Sequence, residues 1–96
     1  MVDRLGENER EKGLGELNGW VYDAATGAIS HVFKFKNFSE AFGFMSRVAL
    51  AAEQAGHHPD WSNSYNSVTV TLATHDAGGL SARDISLAKA IDAIVA

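Results

Sequence analysis

Asn37-Phe38-Ser39-Glu40-Ala41-Phe42-Gly43-Phe44-Met45-Ser46-Arg47-Val48-Ala49-Leu50-Ala51-Ala52-Glu53-Gln54-Ala55-Gly56 is the stretch that decides how this chain folds. Asn37 followed by Glu40 three residues later has the form of a capping box, and Gly56 supplies a stop. The two signals predict one long helix between them. Within it Phe38, Phe42, Met45, Ala49 and Ala52 form one apolar stripe, and Ala41, Phe44, Val48, Ala51 and Ala55 form the next. At roughly 100° per residue these merge into an arc of about 180°, wider than a surface helix needs to cover one core. Only Leu50 interrupts the polar face of Ser39, Glu40, Ser46, Arg47, Glu53 and Gln54. One stripe is therefore expected on a sheet and the other on a second subunit, giving a homodimer or homotetramer. In a competing reading the Ala41, Phe44, Val48, Ala51, Ala55 stripe docks a different protein.

Upstream of the helix, Trp20-Val21-Tyr22-Asp23 has the aromatic and β-branched character of a strand, and Ala24-Ala25-Thr26-Gly27 reads as a turn. Ile29, Phe33 and Phe35 then alternate with Ser30, Lys34 and Lys36, so a second strand closes a hairpin. The first dozen residues are charged and predict a short peripheral helix ending near Gly13 or Gly15. Downstream, Val68, Val70 and Leu72 alternate with Thr69 and Thr71 in a strand running to Thr74, and Trp61–Tyr65 pairs with it through a turn near Tyr65-Asn66. Ala77-Gly78-Gly79 forms a loop. Ser81 with Asp84 makes a second capping box, opening a helix expected to bury Ile85, Ala88, Ile91 and Val95. The order is α-β-β-α-β-β-α. Hairpins joined by helices predict an α+β fold, a four-stranded antiparallel sheet with three helices on one face.

The 96 residues are 46% hydrophobic and 21% charged, the balance of one folded domain spanning 1–96. Eight basic residues against twelve acidic ones give a formal charge of −4, and the basic residues are scattered, which argues against nucleic-acid binding. There is no cysteine, so disulfides and thiolate metal sites are excluded. No stretch approaches a membrane span and the N-terminus lacks a signal-peptide core, so a cytoplasmic protein without membrane attachment is expected.

Three of the four histidines border predicted element ends. His57 and His58 follow the long helix and His75 follows a strand. Pro59 pushes His58 out of the helical region, so the two adjacent imidazoles are expected to diverge from a stiffened backbone. Imidazoles exchange protons near neutral pH, which suits elimination of water. Glu53 and Asp60 are candidate carboxylates for fixing a tautomer. Taken alone, the His-His-Pro triplet favours a helix-end role over a catalytic one, and three histidines would also suit a zinc ion with an open position. Adjacent residues, however, do not present both side chains on one face as short-spaced zinc ligands do. His31 is expected to be a solvent-accessible strand-end residue. Trp20 and Trp61 fit either a core or a stacking surface for a flat heterocycle, and the Ser81/Asp84 cap is adjacent enough to brace a site.

Ala41-Phe42-Gly43-Phe44-Met45-Ser46-Arg47-Val48-Ala49, then His57-His58-Pro59-Asp60-Trp61, Val68-Thr69-Val70-Thr71-Leu72, Thr74-His75 and Gly79-Leu80-Ser81-Ala82-Arg83-Asp84-Ile85 occur in an order that closely resembles the pterin-4a-carbinolamine dehydratases. The resemblance runs from about Gly19 to Ile91. It implies dehydration of 4a-hydroxytetrahydrobiopterin, or a related 4a-hydroxytetrahydropterin, to a quinonoid dihydropterin, recycling the cofactor of aromatic amino acid hydroxylases. No metal or cofactor is implied. The resemblance places catalysis on His57, His58 and His75, and substrate contacts on Trp20, Glu53, Pro59, Thr74 and Asp76. It also implies dimers or tetramers formed through sheet edges and the long helix, and, by analogy with some animal members, a dimerisation cofactor for a transcription factor.

Overall fold

A computed structural model describes residues 2–96. The elements are α1 (Glu7–Gly15), β1 (Val21–Asp23), β2 (Ala28–Lys34), α2 (Phe38–Ala55), β3 (Asp60–Ser64), β4 (Ser67–Leu72), a 3-10 turn (His75–Ala77) and α3 (Ala82–Val95). The strands form one antiparallel sheet in the order β1-β2-β4-β3, with the helices on one face, as the alternation of hairpins and helices predicts. Register follows side-chain parity. Phe33 stands opposite Val68 and Ile29 opposite Leu72, so the apolar set of β2 and that of β4 face the same side.

Both ends of α2 form as its sequence requires. The Asn37 side chain accepts the Glu40 N–H at 2.9 Å, and Gly56 adopts φ 64°, the left-handed conformation that costs glycine least. The His57 N–H returns to the Ala52 carbonyl and the Gly56 N–H to the Glu53 carbonyl, both at 3.2 Å, which closes a Schellman motif. The core packs Ile29, Phe33, Val68, Val70 and Leu72 of the sheet against Ala41, Phe44, Val48 and Ala52 of α2 and Leu87, Ala88 and Ile91 of α3.

Three expectations are corrected. Ala41, Phe44 and Val48 lie against the sheet with at most 1% of their surface exposed, so their stripe is not a docking surface; a charge at Phe44 or Val48 would enter the core. The face of α2 left open carries Phe38, Phe42 and Leu50. On α3, Leu87 takes the buried place expected for Val95, which stands exposed in the last turn. His31 lies well inside β2, on the parity of Ile29 and Phe33, and is half-buried: it stacks on Phe33 with ring centroids 3.9 Å apart and meets the Trp20 edge at 5.5 Å.

Candidate active site

The Schellman turn at Gly56 carries the chain off α2 and directs the next two side chains apart. His57 turns inward, its side chain 11% exposed, while His58 turns outward at 62%. Each imidazole is held at Nε2 by a carboxylate. His57 meets Asp84 Oδ1 at 2.5 Å, and His58 meets Glu53 Oε2, one helical turn back, at 2.6 Å. A carboxylate only accepts, so it fixes the proton of a neutral imidazole on Nε2 and leaves Nδ1 as an acceptor on each ring.

Asp84 is completely buried and every one of its contacts is a donor. Its Oδ2 accepts the Ser81 backbone N–H at 2.9 Å and the Thr74 hydroxyl at 2.7 Å. Thr74 Oγ1 in turn accepts from Ser81 Oγ at 2.6 Å, and Ser81 Oγ accepts the Arg83 N–H at 3.2 Å. Each hydroxyl proton thus has one destination, and among the described residues no buried side-chain polar atom lacks a partner. The N-terminal cap of α3 therefore doubles as the brace of His57. Sequence reasoning read Ser81 and Asp84 as a cap and looked to Glu53 and Asp60 for the orienting carboxylates. Glu53 does hold His58. Asp60 lines the site without a hydrogen bond to either histidine, and the buried partner of His57 comes instead from 27 residues downstream.

His75 arrives from the other side. β4 ends at Leu72, earlier than expected, and Thr74 bridges to Gly79 across the 3-10 turn, with the Thr74 N–H donating to the Gly79 carbonyl at 2.8 Å. The turn lifts His75 and Asp76 into an open cleft of about 380 Å³ that His57, His58, Thr74 and Arg83 also line. The structure so brings together His57, His58, His75, Thr74 and Asp76, with Glu53 behind His58. Pro59 sets the backbone direction and does not line the cleft, and Trp20 lies elsewhere: its ring packs edge-on against Phe33 and its Nε1–H donates to Asp92 Oδ1 at 2.8 Å. Arg83 in the cleft wall was missed from sequence, since nothing local distinguishes it from a surface arginine in the first turn of a helix. Among the described residues no three His, Asp or Glu side chains converge as a metal ion would require, and the zinc alternative finds no donor set here.

The sequence profile described as pterin 4 alpha carbinolamine dehydratase matches residues 3–94. The chain belongs to the pterin-4a-carbinolamine dehydratase family. A Rhodospirillum rubrum protein provisionally named a pterin-4-alpha-carbinolamine dehydratase is 57% identical over 95 residues, 99% of each chain. A Rhodopseudomonas palustris protein with the same provisional name is 55% identical, across all of this chain and 95% of the relative. The dehydratase fold is equally plain among solved structures. A Brucella melitensis protein described as a transcriptional coactivator/pterin dehydratase superposes with a TM-score of 0.94 at 48% identity, covering 98% of this chain and all of the other. A pterin dehydratase-like protein described as a RuBisCO assembly factor shares the fold alone, at a TM-score of 0.69 and 20% identity, over 80% of this chain and 89% of the other.

Proposed function

We propose that this member of the dehydratase family converts a 4a-hydroxytetrahydropterin to the quinonoid dihydropterin and water, using His57, His58 and His75 as its acid–base groups. The observation that carries the reading is the pair of carboxylate-oriented imidazoles opening, with a third histidine opposite, on one cleft. The reaction breaks the C4a–O bond. A proton is delivered to the leaving hydroxyl, the N5–H proton is removed, and the N5 electron pair forms the N5=C4a double bond. Imidazoles are suited to both transfers near neutral pH, and the two free Nδ1 atoms supply acceptors. Asp76 adds a polar group at the rim, while Thr74 supports the cleft wall with its hydroxyl committed to Asp84. Mixing wild-type protein with freshly generated 4a-hydroxytetrahydropterin is expected to accelerate quinonoid formation well beyond the spontaneous rate in a stopped-flow absorbance trace. Equal rates with and without protein would refute the reading.

A homo-oligomer in which a second copy covers the open face of α2 is part of the same proposal. Phe38 and Phe42 are 48% and 57% exposed with their rings 6.0 Å apart, and Leu50 is 73% exposed, an apolar surface of the kind partners bury. Substituting Phe42→Glu is expected to reduce the assembly size in sedimentation while the circular dichroism spectrum stays unchanged, because Phe42 is outside the core. A sedimentation coefficient identical to wild type would remove this face from the interface. The competing role as a dimerisation cofactor for another protein would use the same exposed face, not the buried stripe to which the sequence first pointed.

A further inference from the structure

The histidine cleft is one end of a longer depression. It shares Ala73, Thr74 and His75 with a neighbouring hollow of about 300 Å³, and that hollow shares Thr26, Gly78 and Gly79 with a third of about 440 Å³. The floor between the ends is largely backbone, since Gly78 and Gly79 carry no side chain that would dam it. Gly78 takes φ 71° at the end of the 3-10 turn. A Cβ on Gly27 would stand 3.0 Å from the Gly79 Cα, against backbone, and one on Gly79 would stand 3.1 Å from Arg4 Cδ and push that side chain aside. The two loops are thus held close by glycines and the trough stays open above them.

The far end is basic in a chain whose overall charge is −4. Arg4 and Arg10 both line the third hollow, with Glu7 its one carboxylate. Among the described residues neither guanidinium is within ion-pair distance of a carboxylate. Their placement is nonetheless built. The Leu5 N–H donates to the Leu80 carbonyl at 2.8 Å, which pins the segment carrying Arg4 to the loop before α3. The Arg10 guanidinium lies 4.5 Å from the centroid of the Tyr22 ring, a cation–π contact that holds it against β1. Guanidinium forks match carboxylate or phosphate oxygens.

We propose that the physiological substrate carries an anionic group, a carboxylate or a phosphate, on the side chain of its pterin ring, with the ring at the histidines and the anion at Arg4 and Arg10. The inference rests on the dehydratase reading above and names the substrate class that reading leaves open.

The test compares kcat/KM for 4a-hydroxytetrahydropterins that bear at C6 a methyl group, a carboxylate-ended chain or a phosphate-ended chain. Wild-type protein is expected to favour at least one anionic substrate by about tenfold or more, the scale of one charge-assisted hydrogen bond. The better of the two identifies the anion. In Arg4→Gln, Arg10→Gln and the double variant the anionic-to-neutral ratio falls stepwise toward one, Arg10→Lys retains part of it, and added salt lowers it in wild type. A wild-type ratio near one, or a proportionate loss on all three substrates in the variants, would overturn the inference and leave the dehydratase reading standing. Absence of turnover on all three would overturn both.

Discussion

Replacing Asp84 by Asn is expected to lower kcat/KM for dehydration on the order of 10²-fold, the larger end of what partners that orient a functional histidine contribute, while the protein stays folded. The reason lies in the directions of the hydrogen bonds. Asp84 accepts from the Ser81 backbone N–H, from the Thr74 hydroxyl and from His57 Nε2, and the Ser81 contact cannot be reversed. An Asn side chain must therefore keep its oxygen toward Ser81 and turn its NH₂ group toward His57. Two N–H groups cannot face each other, so the imidazole must carry its proton on Nδ1 and present no acceptor to the cleft. The stability loss is expected to be about 1–3 kcal/mol, that of one imperfectly satisfied buried polar group. A merely structural role for Asp84 would lower Tm and leave the tautomer alone. The distinguishing measurement is the pair of ¹⁵N shifts of His57, which should exchange roles between the wild-type and variant proteins. Unchanged shifts with full activity would remove Asp84 from the machinery.

Why Asp84 was legible as a cap that could brace a site, but not as the partner of His57, is a matter of range. Ser81 and Asp84 signal each other across three residues, and that local pairing forms. The contact with His57 spans 27 positions and depends on how α3 lands against the end of α2, which no local pattern encodes. The same distinction runs through the fold. Asn37 and Gly56 delimit α2 to the residue because caps are local chemistry, and strand parity sorts Ile29, Phe33, Val68 and Val70 to the core side because the period of two is fixed by the backbone. Which of two adjacent apolar stripes on α2 meets the sheet is a tertiary choice. Phe44 and Phe42 look alike in sequence, and only the docking of the helix buries one and leaves the other 57% exposed. The basic end of the trough was equally hidden, since Arg4 and Arg10 appear within a charged peripheral segment and acquire their partner loop only through the Leu5–Leu80 bond. The histidine cluster itself stood between these cases. Pro59 predicted divergence of His57 and His58, which occurs, but placing His75 opposite them required the turn that follows β4.

Substituting His58→Ala or His75→Ala is expected to lower the dehydration rate by about 10²–10⁴, the usual contribution of a general acid or base. These two are the clean tests of catalysis, and His57→Ala is not. His57 is nearly buried against Asp84, so its removal leaves the buried Asp84 Oδ1 without its donor at a cost of about 1–3 kcal/mol, and lost activity there would be confounded with lost structure. His58 is 62% exposed on its side chain and its partner Glu53 is 77% exposed, so water replaces the missing imidazole at little expense. His75 is exposed on the 3-10 turn and makes no side-chain hydrogen bond among the described residues. For both, stability should stay within about 0.5 kcal/mol of wild type, as for other surface substitutions. A fall in kcat of the expected size at unchanged Tm then reports chemistry, and adding imidazole to the His58→Ala protein should restore part of it if the lost group moved a proton. Near-normal turnover in both variants would remove His58 and His75 from the acid–base chemistry and leave only the Asp84-braced His57 to account for any acceleration.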